Sequence, residues 1–188
     1  MSTKFNTAIK NARLLLRGQH SGILSTISVS VTGYPFGSVT PFMINQHGEA
    51  IIYASDIAQH ARNIKADSRV SICVNDPVQS DSQASARVTL IGNASADGVN
   101  ENDKARYFKL FPHAKEYEKA HDFRFYVIRI HRVRYIGGFG EIFWFENTHW
   151  YSSFLDMSDV EAGAIKHMHE DHSDALAEIG KYLVVLHI

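Results

Sequence analysis

The feature that most constrains the fold of this chain is a succession of short apolar runs between positions 22 and 145, rich in β-branched and aromatic residues. Turn-forming residues such as Gly33, Pro35 and Gly48 separate these runs, which is typical of antiparallel strands. The runs span 23–29, 36–44, 51–54, 70–74, 88–94, 123–136 and 142–145. Six or seven strands with few helices predict a mainly β (α+β) fold, in which an antiparallel sheet closes fully or partly into a barrel.

Four helical segments are predicted to flank or interrupt the strands. Three carry apolar residues at helical spacing, and the third in chain order, with mixed spacing, is predicted to be two short helices. Gly18 ends the first segment, Asp56 is the predicted N-cap of the second, and Pro112 breaks the third. These segments span 3–17, 56–66, 101–120 and 158 to about 183. The first is expected to cover one end of the barrel.

The 188 residues are enough for one well-packed domain with an appendage. We expect a barrel domain with its N-terminal helix at 1–155 and a short helical module at 156–188. The tail 182–188 contains five apolar residues that would be costly in water. We therefore expect this tail to pack on the barrel or on a partner chain.

Charge and cysteine content exclude several classes of protein. Lysine and arginine number 19 and the acidic residues 20, so no net field attracts nucleic acid or an anionic membrane. Cys73 is the only cysteine, which excludes an internal disulfide and a multi-cysteine metal site. No run of about eighteen apolar residues is present, and the N-terminus lacks a signal-peptide core. We expect a cytoplasmic protein with no nucleic-acid or membrane partner.

A histidine-rich stretch in the last predicted helix raises the question of a metal site. At about 100° per residue, His167 and His169 lie on different sides of a helix and cannot bind one ion. His172 instead falls near the centre of an apolar stripe that includes Ile165 and Ile179. Two interpretations stay open: a hydrogen-bonded core histidine, or an imidazole presented to an apolar, planar ligand.

Several motifs, in fixed order, resemble the pyridoxamine 5'-phosphate oxidase-like superfamily of FMN-binding split barrels. The motifs in the barrel region are Gly33 to Phe42, Ser55 to Ile64, Arg69 to Ile72, Arg87 to Ala94 and Gly137 to Gly140. A further stretch from His167 to Leu176 is similar to the start of the C-terminal module of the haem-utilisation (HugZ/HutZ-type) branch, cut short here. The resemblance implies a homodimeric split antiparallel β-barrel with flanking helices that holds FMN or haem between its subunits.

The same resemblance implies a set of flavin-contacting residues. In the oxidases proper, an arginine in the strand after the Gly-x-Pro turn and a lysine in the following helix bind the flavin phosphate. Ser38 and His60 stand at those two positions here, so two cations are missing. The residues that would surround a cofactor are Ser38, Val39, Thr40, Ser55, His60, Arg62 and Asn63.

For haem, the resemblance implies a different pair of residues. In the haem-utilisation branch a C-terminal histidine ligates the haem iron, and an aspartate just before the long strand supports it from the other subunit. These residues match His172 and Asp122 in this sequence. A carboxylate that accepts the second imidazole N–H fixes the tautomer of the ligand and tunes the iron.

Three functions follow from these observations and remain open at this point. The chain is a haem-binding protein that serves haem utilisation, with oxidative haem degradation as one outcome, or an FMN-dependent oxidoreductase, or a non-catalytic flavin- or haem-binding module. No catalytic triad, phosphate loop or dinucleotide fingerprint is present in the sequence. The sequence therefore identifies no catalytic residue and leaves enzyme activity undecided.

Overall fold

A computed structural model describes residues 2–76, 84–120, 122–138, 140–151 and 158–185. By its internal contacts the chain divides into two compact units, Met1–Ser152 and Ser153–Ile188. The first unit contains the sheet, and the second contains two helices.

The described strands of the first unit form one antiparallel sheet of eight strands. Their order is β2-β1-β5-β6-β7-β4-β3, with β8 paired to β7. The bounds are β1 Ser21–Ile27, β2 Pro35–Pro41, β3 Met43–Ile44, β4 Ala50–Ser55, β5 Arg69–Asn75, β6 Arg87–Ser95, β7 Phe123–Ile136 and β8 Ile142–Glu146. The predicted split antiparallel barrel with flanking helices is confirmed.

The eighth strand appears because the predicted run 36–44 is two strands. Pro41 has no backbone N–H to donate to a sheet. The N–H of the fully buried Phe42 donates instead to the His20 carbonyl oxygen at 3.1 Å. As a result β2 pairs with β1 while β3 pairs with β4, so the chain crosses between two parts of the sheet at this point.

The helices are α1 Thr3–Gly18, α2 Gln59–Ala66, α3 Glu101–Leu110, a 3-10 helix Pro112–Ala120, α4 Asn147–Trp150, α5 Ser158–Asp171 and α6 Ser173–Val185. The prediction of a first helix and of a break at Pro112 is confirmed. Helix α1 buries Ala8, Ala12 and Leu16 against the sheet, as its apolar spacing predicts. Among the described helices, none is both long and apolar enough to cross a membrane.

Two details of the predicted helices are wrong. Asp56 does not cap α2, which begins at Gln59 after Ala58 and has no side-chain cap. The Asp56 carboxylate instead forms ion pairs with Arg124 and with Lys65, whose Nζ lies 3.0 Å from Asp56 Oδ1.

The single helix predicted from 158 is two helices, α5 and α6, separated at His172. The side chains of the tail 182–188, whose packing the sequence predicts, lie outside the described part of the chain.

Two hydrophobic clusters cover the two faces of the sheet. The larger cluster fills the space between the sheet and α1, with side chains such as Leu24, Leu90 and Ile128. The smaller one lies on the opposite face of β4 and β7, where Ile51 and Val127 pack near Tyr107 of α3. The β4–β7 pair therefore has buried side chains on both faces.

Candidate cofactor-binding site

Two of the three predicted site residues on β2 share a face of the strand. Ser38 and Thr40 lie opposite Leu24 and Gly22 of β1, on one face, and Val39 lies between them on the other, with 77% of its surface exposed. Thr40 is 4% exposed, and its Oγ1 is buried with no hydrogen-bond partner among the described residues. Ser38 and Thr40 can therefore face the same ligand.

The buried Asn63 attaches α2 to β1. Its Nδ2 donates to Thr26 Oγ1 at 2.8 Å, and its Oδ1 accepts from the Val29 N–H at 3.0 Å and from Gln59 Nε2 at 2.8 Å. The Thr26 hydroxyl donates in turn to the Phe36 carbonyl of β2 at 3.3 Å. The Asn63 amide thus holds α2 against β1 and, through Thr26, beside β2.

The two basic residues predicted on α2 differ in their surroundings. His60 is half-buried, and desolvation by burial lowers its pKa, so the ring is neutral at pH 7. Arg62 is exposed, and its Nη2 donates to Gln59 Oε1 at 3.1 Å. Of this pair, only the arginine carries a positive charge at neutral pH.

Ser55 and Asp122 meet where β4 ends and β7 begins. The Ser55 hydroxyl donates to Asp122 Oδ2 in a short hydrogen bond, and the Asp56 N–H donates to the Asp122 carbonyl oxygen at 2.8 Å. Beside them, the hydrogen bond from Arg124 and then that from Lys65 hold the pKa of Asp56 below its usual value. One carboxylate therefore binds both of these cations, and the three groups together keep one net positive charge.

Sequence reasoning missed Gln59 and the ion cluster formed by Asp56, Lys65 and Arg124. Gln59 and Asn63 stand four residues apart, a spacing at which helical side chains meet, so this pair was visible in the sequence. Arg124 is 68 residues from Asp56, and only the pairing of β4 with β7 brings them together. No local signal predicts that contact.

The predicted iron ligand His172 belongs to the second unit. The His172 ring lies edge-on to the His167 ring, with centroids 5.1 Å apart. The backbone N–H of His172 donates to the Met168 carbonyl oxygen at 3.1 Å. His167 also lies near Asp171, with 2.7 Å between Nδ1 and Oδ2. His172 is exposed, as is half of the Ile165 surface. Within the described residues, no three His, Cys, Asp or Glu side chains converge as a metal site.

Comparison with known families agrees with this architecture. The sequence profile of the family described as "CREG, beta-barrel" matches residues 3–152. This chain belongs to the CREG beta-barrel family. The match covers the sheet, α1 to α4 and all of the predicted site residues except His172.

Individual relatives of this CREG-type chain place it among split barrels. The non-canonical heme oxygenase HOZ, chloroplastic, of Arabidopsis thaliana is 29% identical over 175 residues, which are 88% of this chain and 53% of the relative. The chain thus spans about half the length of that curated relative. The heme binding protein from Mycobacterium smegmatis has 33% identity and a TM-score of 0.71, over 90% of this chain and 71% of that protein.

A more distant structure extends the comparison to the oxidases. A putative pyridoxamine 5'-phosphate oxidase from Listeria innocua has 16% identity and a TM-score of 0.54, over 69% of this chain and 98% of that one. At that identity the likeness concerns the fold alone. Together the matches confirm the predicted resemblance at this level: the chain is a CREG-type barrel with relatives that are named for haem, and it shares its fold with a pyridoxamine 5'-phosphate oxidase-like protein.

Proposed function

We propose that this chain binds haem between two subunits and serves haem utilisation. The observation that carries the proposal is the 33% identity to a heme binding protein over 90% of the chain. The similarity to a heme oxygenase over 88% of the chain extends the proposal to oxidative haem degradation.

The charges around the candidate site favour haem over FMN. A flavin phosphate is a dianion that needs cationic side chains or free N–H groups at one place. His60 is held neutral by burial, and Lys65 and Arg124 are both bound to Asp56, which leaves only one net positive charge on that cluster. Of the cofactor-contacting residues that the sequence predicts, Arg62 is then the remaining cation, and its side chain is exposed on α2.

In this proposal His172 holds the haem iron and Asp122 of the other subunit orients the imidazole. Bound haem would supply the oxygen and redox chemistry, and the protein would hold and orient the haem. Asp122 is suited to a positioning role because Ser55 fixes one of its carboxylate oxygens. The exposed His172 ring fits a ligand better than it fits a core histidine.

Thr40 also supports a bound group at β2. A buried hydroxyl without a partner is uncommon and costs free energy, so it points to an atom that the described residues do not supply. Ser38, on the same face of β2, is proposed as a neighbouring contact, and Arg62 as a partner for a carboxylate of the ligand.

The test is an absorption titration of the full chain with haemin and, in a parallel sample, with FMN. We expect a saturable Soret band with haemin at one haem per subunit, and FMN that is lost on gel filtration. If FMN is retained at sub-micromolar affinity while haemin shows only non-saturable binding, the haem proposal is wrong and the alternative, an FMN-dependent oxidoreductase, replaces it.

A further inference from the structure

A groove between α1 and α4 in the first unit is lined by three basic residues. Its volume is about 630 Å³, within the range of small-molecule sites. Lys10, Arg13 and Arg17 contribute to its wall from α1, where a spacing of three and four residues puts them on one side of the helix. None of the residues predicted to bind FMN or haem lines this groove.

Within the described part of the chain, the positive charge in the groove is not compensated. No described Asp or Glu lines it, and none of the three cations forms an ion pair with another described residue. Like charges three or four residues apart on a helix repel each other. Burial, followed by the charge of Arg17, lowers the pKa of Arg13. An anion in the groove would relieve this repulsion.

The central cation is already fixed in place. Arg13 Nη2 donates to the Trp150 carbonyl oxygen in a short hydrogen bond, and its guanidinium lies 5.4 Å from the centre of the Trp150 ring. A cation that is positioned before binding loses less side-chain entropy when a ligand arrives. The Arg13 guanidinium is therefore a preorganised cation in the wall of the groove.

Other groups on the wall complete a site of mixed character. His149 lines the groove, and its Nδ1 is buried with no hydrogen-bond partner among the described residues. Apolar surface comes from Ile9, Tyr151 and Leu14, the last of which is 57% exposed. Positive charge beside exposed apolar surface suits a ligand with an anionic head and an apolar body.

We propose that this groove binds an amphipathic anion, a small molecule with a carboxylate or phosphate head and an apolar body. The head lies among Lys10, Arg13 and Arg17, and the body lies on Leu14 and Tyr151. The groove shares no described lining residue with the proposed haem site, and this proposal does not depend on haem binding.

Trp150 provides a built-in reporter of binding. The chain has two tryptophans, so Trp144→Phe, a change on β8 away from the groove, leaves Trp150 as the only one. In this background Trp150 emission is titrated with octanoate, with octyl phosphate and with neutral octanol. We expect saturable binding of at least one anion. Octanol should bind at least about tenfold more weakly, because it lacks the negative charge and so loses one charge-assisted contact. The tighter anion identifies the head group.

Charge variants decide whether the groove is responsible. Lys10→Gln and Arg17→Gln each weaken anion binding by about tenfold, and both effects shrink in high salt. Lys4→Gln is the matched control, because Lys4 is on the same helix but does not line the groove, and it leaves binding unchanged.

Equal binding of octanol and the anions overturns the proposal, as does an equal loss of binding in Lys4→Gln and Arg17→Gln. Absence of any saturable change of Trp150 emission, with the same result by calorimetry on the unmodified chain, overturns it as well.

Discussion

At the scale of single residues, the two cations that are missing at positions 38 and 60 can be restored by substitution. Ser38→Arg combined with His60→Lys should create FMN binding, because a charge-assisted contact is worth about 1.5 to 3 kcal/mol, or ten- to hundredfold in affinity for each cation. Quenching of flavin fluorescence measures the change. Asn102→Lys, which adds charge at an exposed position of α3, is the control and should leave FMN binding as it is. An unchanged affinity in the double variant would mean that the phosphate does not lie at this place.

His172 is the residue on which the proposed haem ligation depends. His172→Ala should remove the histidine-ligated haem spectrum, whereas His169→Ala should leave it intact. Asp122→Asn should keep haem bound but change how the ligation responds to pH, because the imidazole loses its carboxylate partner. Absorption and resonance Raman spectra measure these changes. A folded His172→Ala protein with an unaltered haem spectrum would remove the ligand assignment.

His60 makes the stability of the first unit depend on pH. Burial lowers the pKa of His60 in the folded protein below the value of about 6.5 expected in the unfolded chain. Between those two values the unfolded state binds more protons, so the free energy of unfolding falls as the pH decreases. We expect His60→Gln to lose less stability than the unmodified chain between pH 7.5 and 5.5 in urea denaturation. His113→Gln, at an exposed histidine, should retain the full loss.

At the scale of elements, the long strand β7 depends on a bulge opposite Gly92. The register of β6 and β7 shifts between Ile91 and Gly92, so that Ile91 pairs with Arg132 while Gly92 pairs with Ile130. His131 is the extra residue, and both His131 and Arg132 are exposed. The shift lets β7 bury side chains on both sides of the bulge.

Gly92 is required because the β7 backbone approaches it closely. A Cβ at this position would lie 2.1 Å from the Arg129 carbonyl oxygen, so Gly92→Ala should lower the free energy of unfolding by about 2 kcal/mol or more. Gly37→Ala on the edge strand β2 is the control, since its Cβ would be 3.5 Å from Ile23, an ordinary contact. Urea denaturation of both variants tests this. Equal stability of the two would show that the backbone of β7 can move away without cost.

At the scale of the whole molecule, the outer surface of β1 and β2 exposes apolar side chains next to one another. Ile23 and Val39 are cross-strand partners and are 52% and 77% exposed. Exposed apolar side chains that adjoin one another are typical of interaction surfaces. They support the proposed homodimer.

We expect a stable dimer at micromolar concentration that Val39→Glu converts into monomers, because a buried unpaired carboxylate is costly. Sedimentation velocity measures the oligomeric state. Leu110→Glu, at a partly exposed residue that ends α3, is the control and should remain dimeric. A monomeric unmodified chain would contradict the prediction directly, and a dimeric Val39→Glu protein would move the interface to another surface.

The sequence alone was sufficient for the elements whose periodicity is local. The apolar spacing of α1, the strand β7 from Phe123 to Ile136 and the break at Pro112 were all predicted, because each depends on neighbouring residues. The mainly β class followed from the number of strand-like runs. The resemblance to a superfamily of split barrels followed from motifs, and the CREG-type match spans the barrel-region residues that carry them.

Only the tertiary structure decided which partners the polar residues take. Asp56 is a typical helix cap in sequence, yet Arg124, brought beside it by the pairing of β4 with β7, takes its carboxylate. The neutral state of His60 depends on burial, and burial depends on residues far away in the chain. A hydrogen bond or a desolvated ring is fixed by groups that meet only after folding, whereas a helix or strand is already favoured by the periodicity of its own residues.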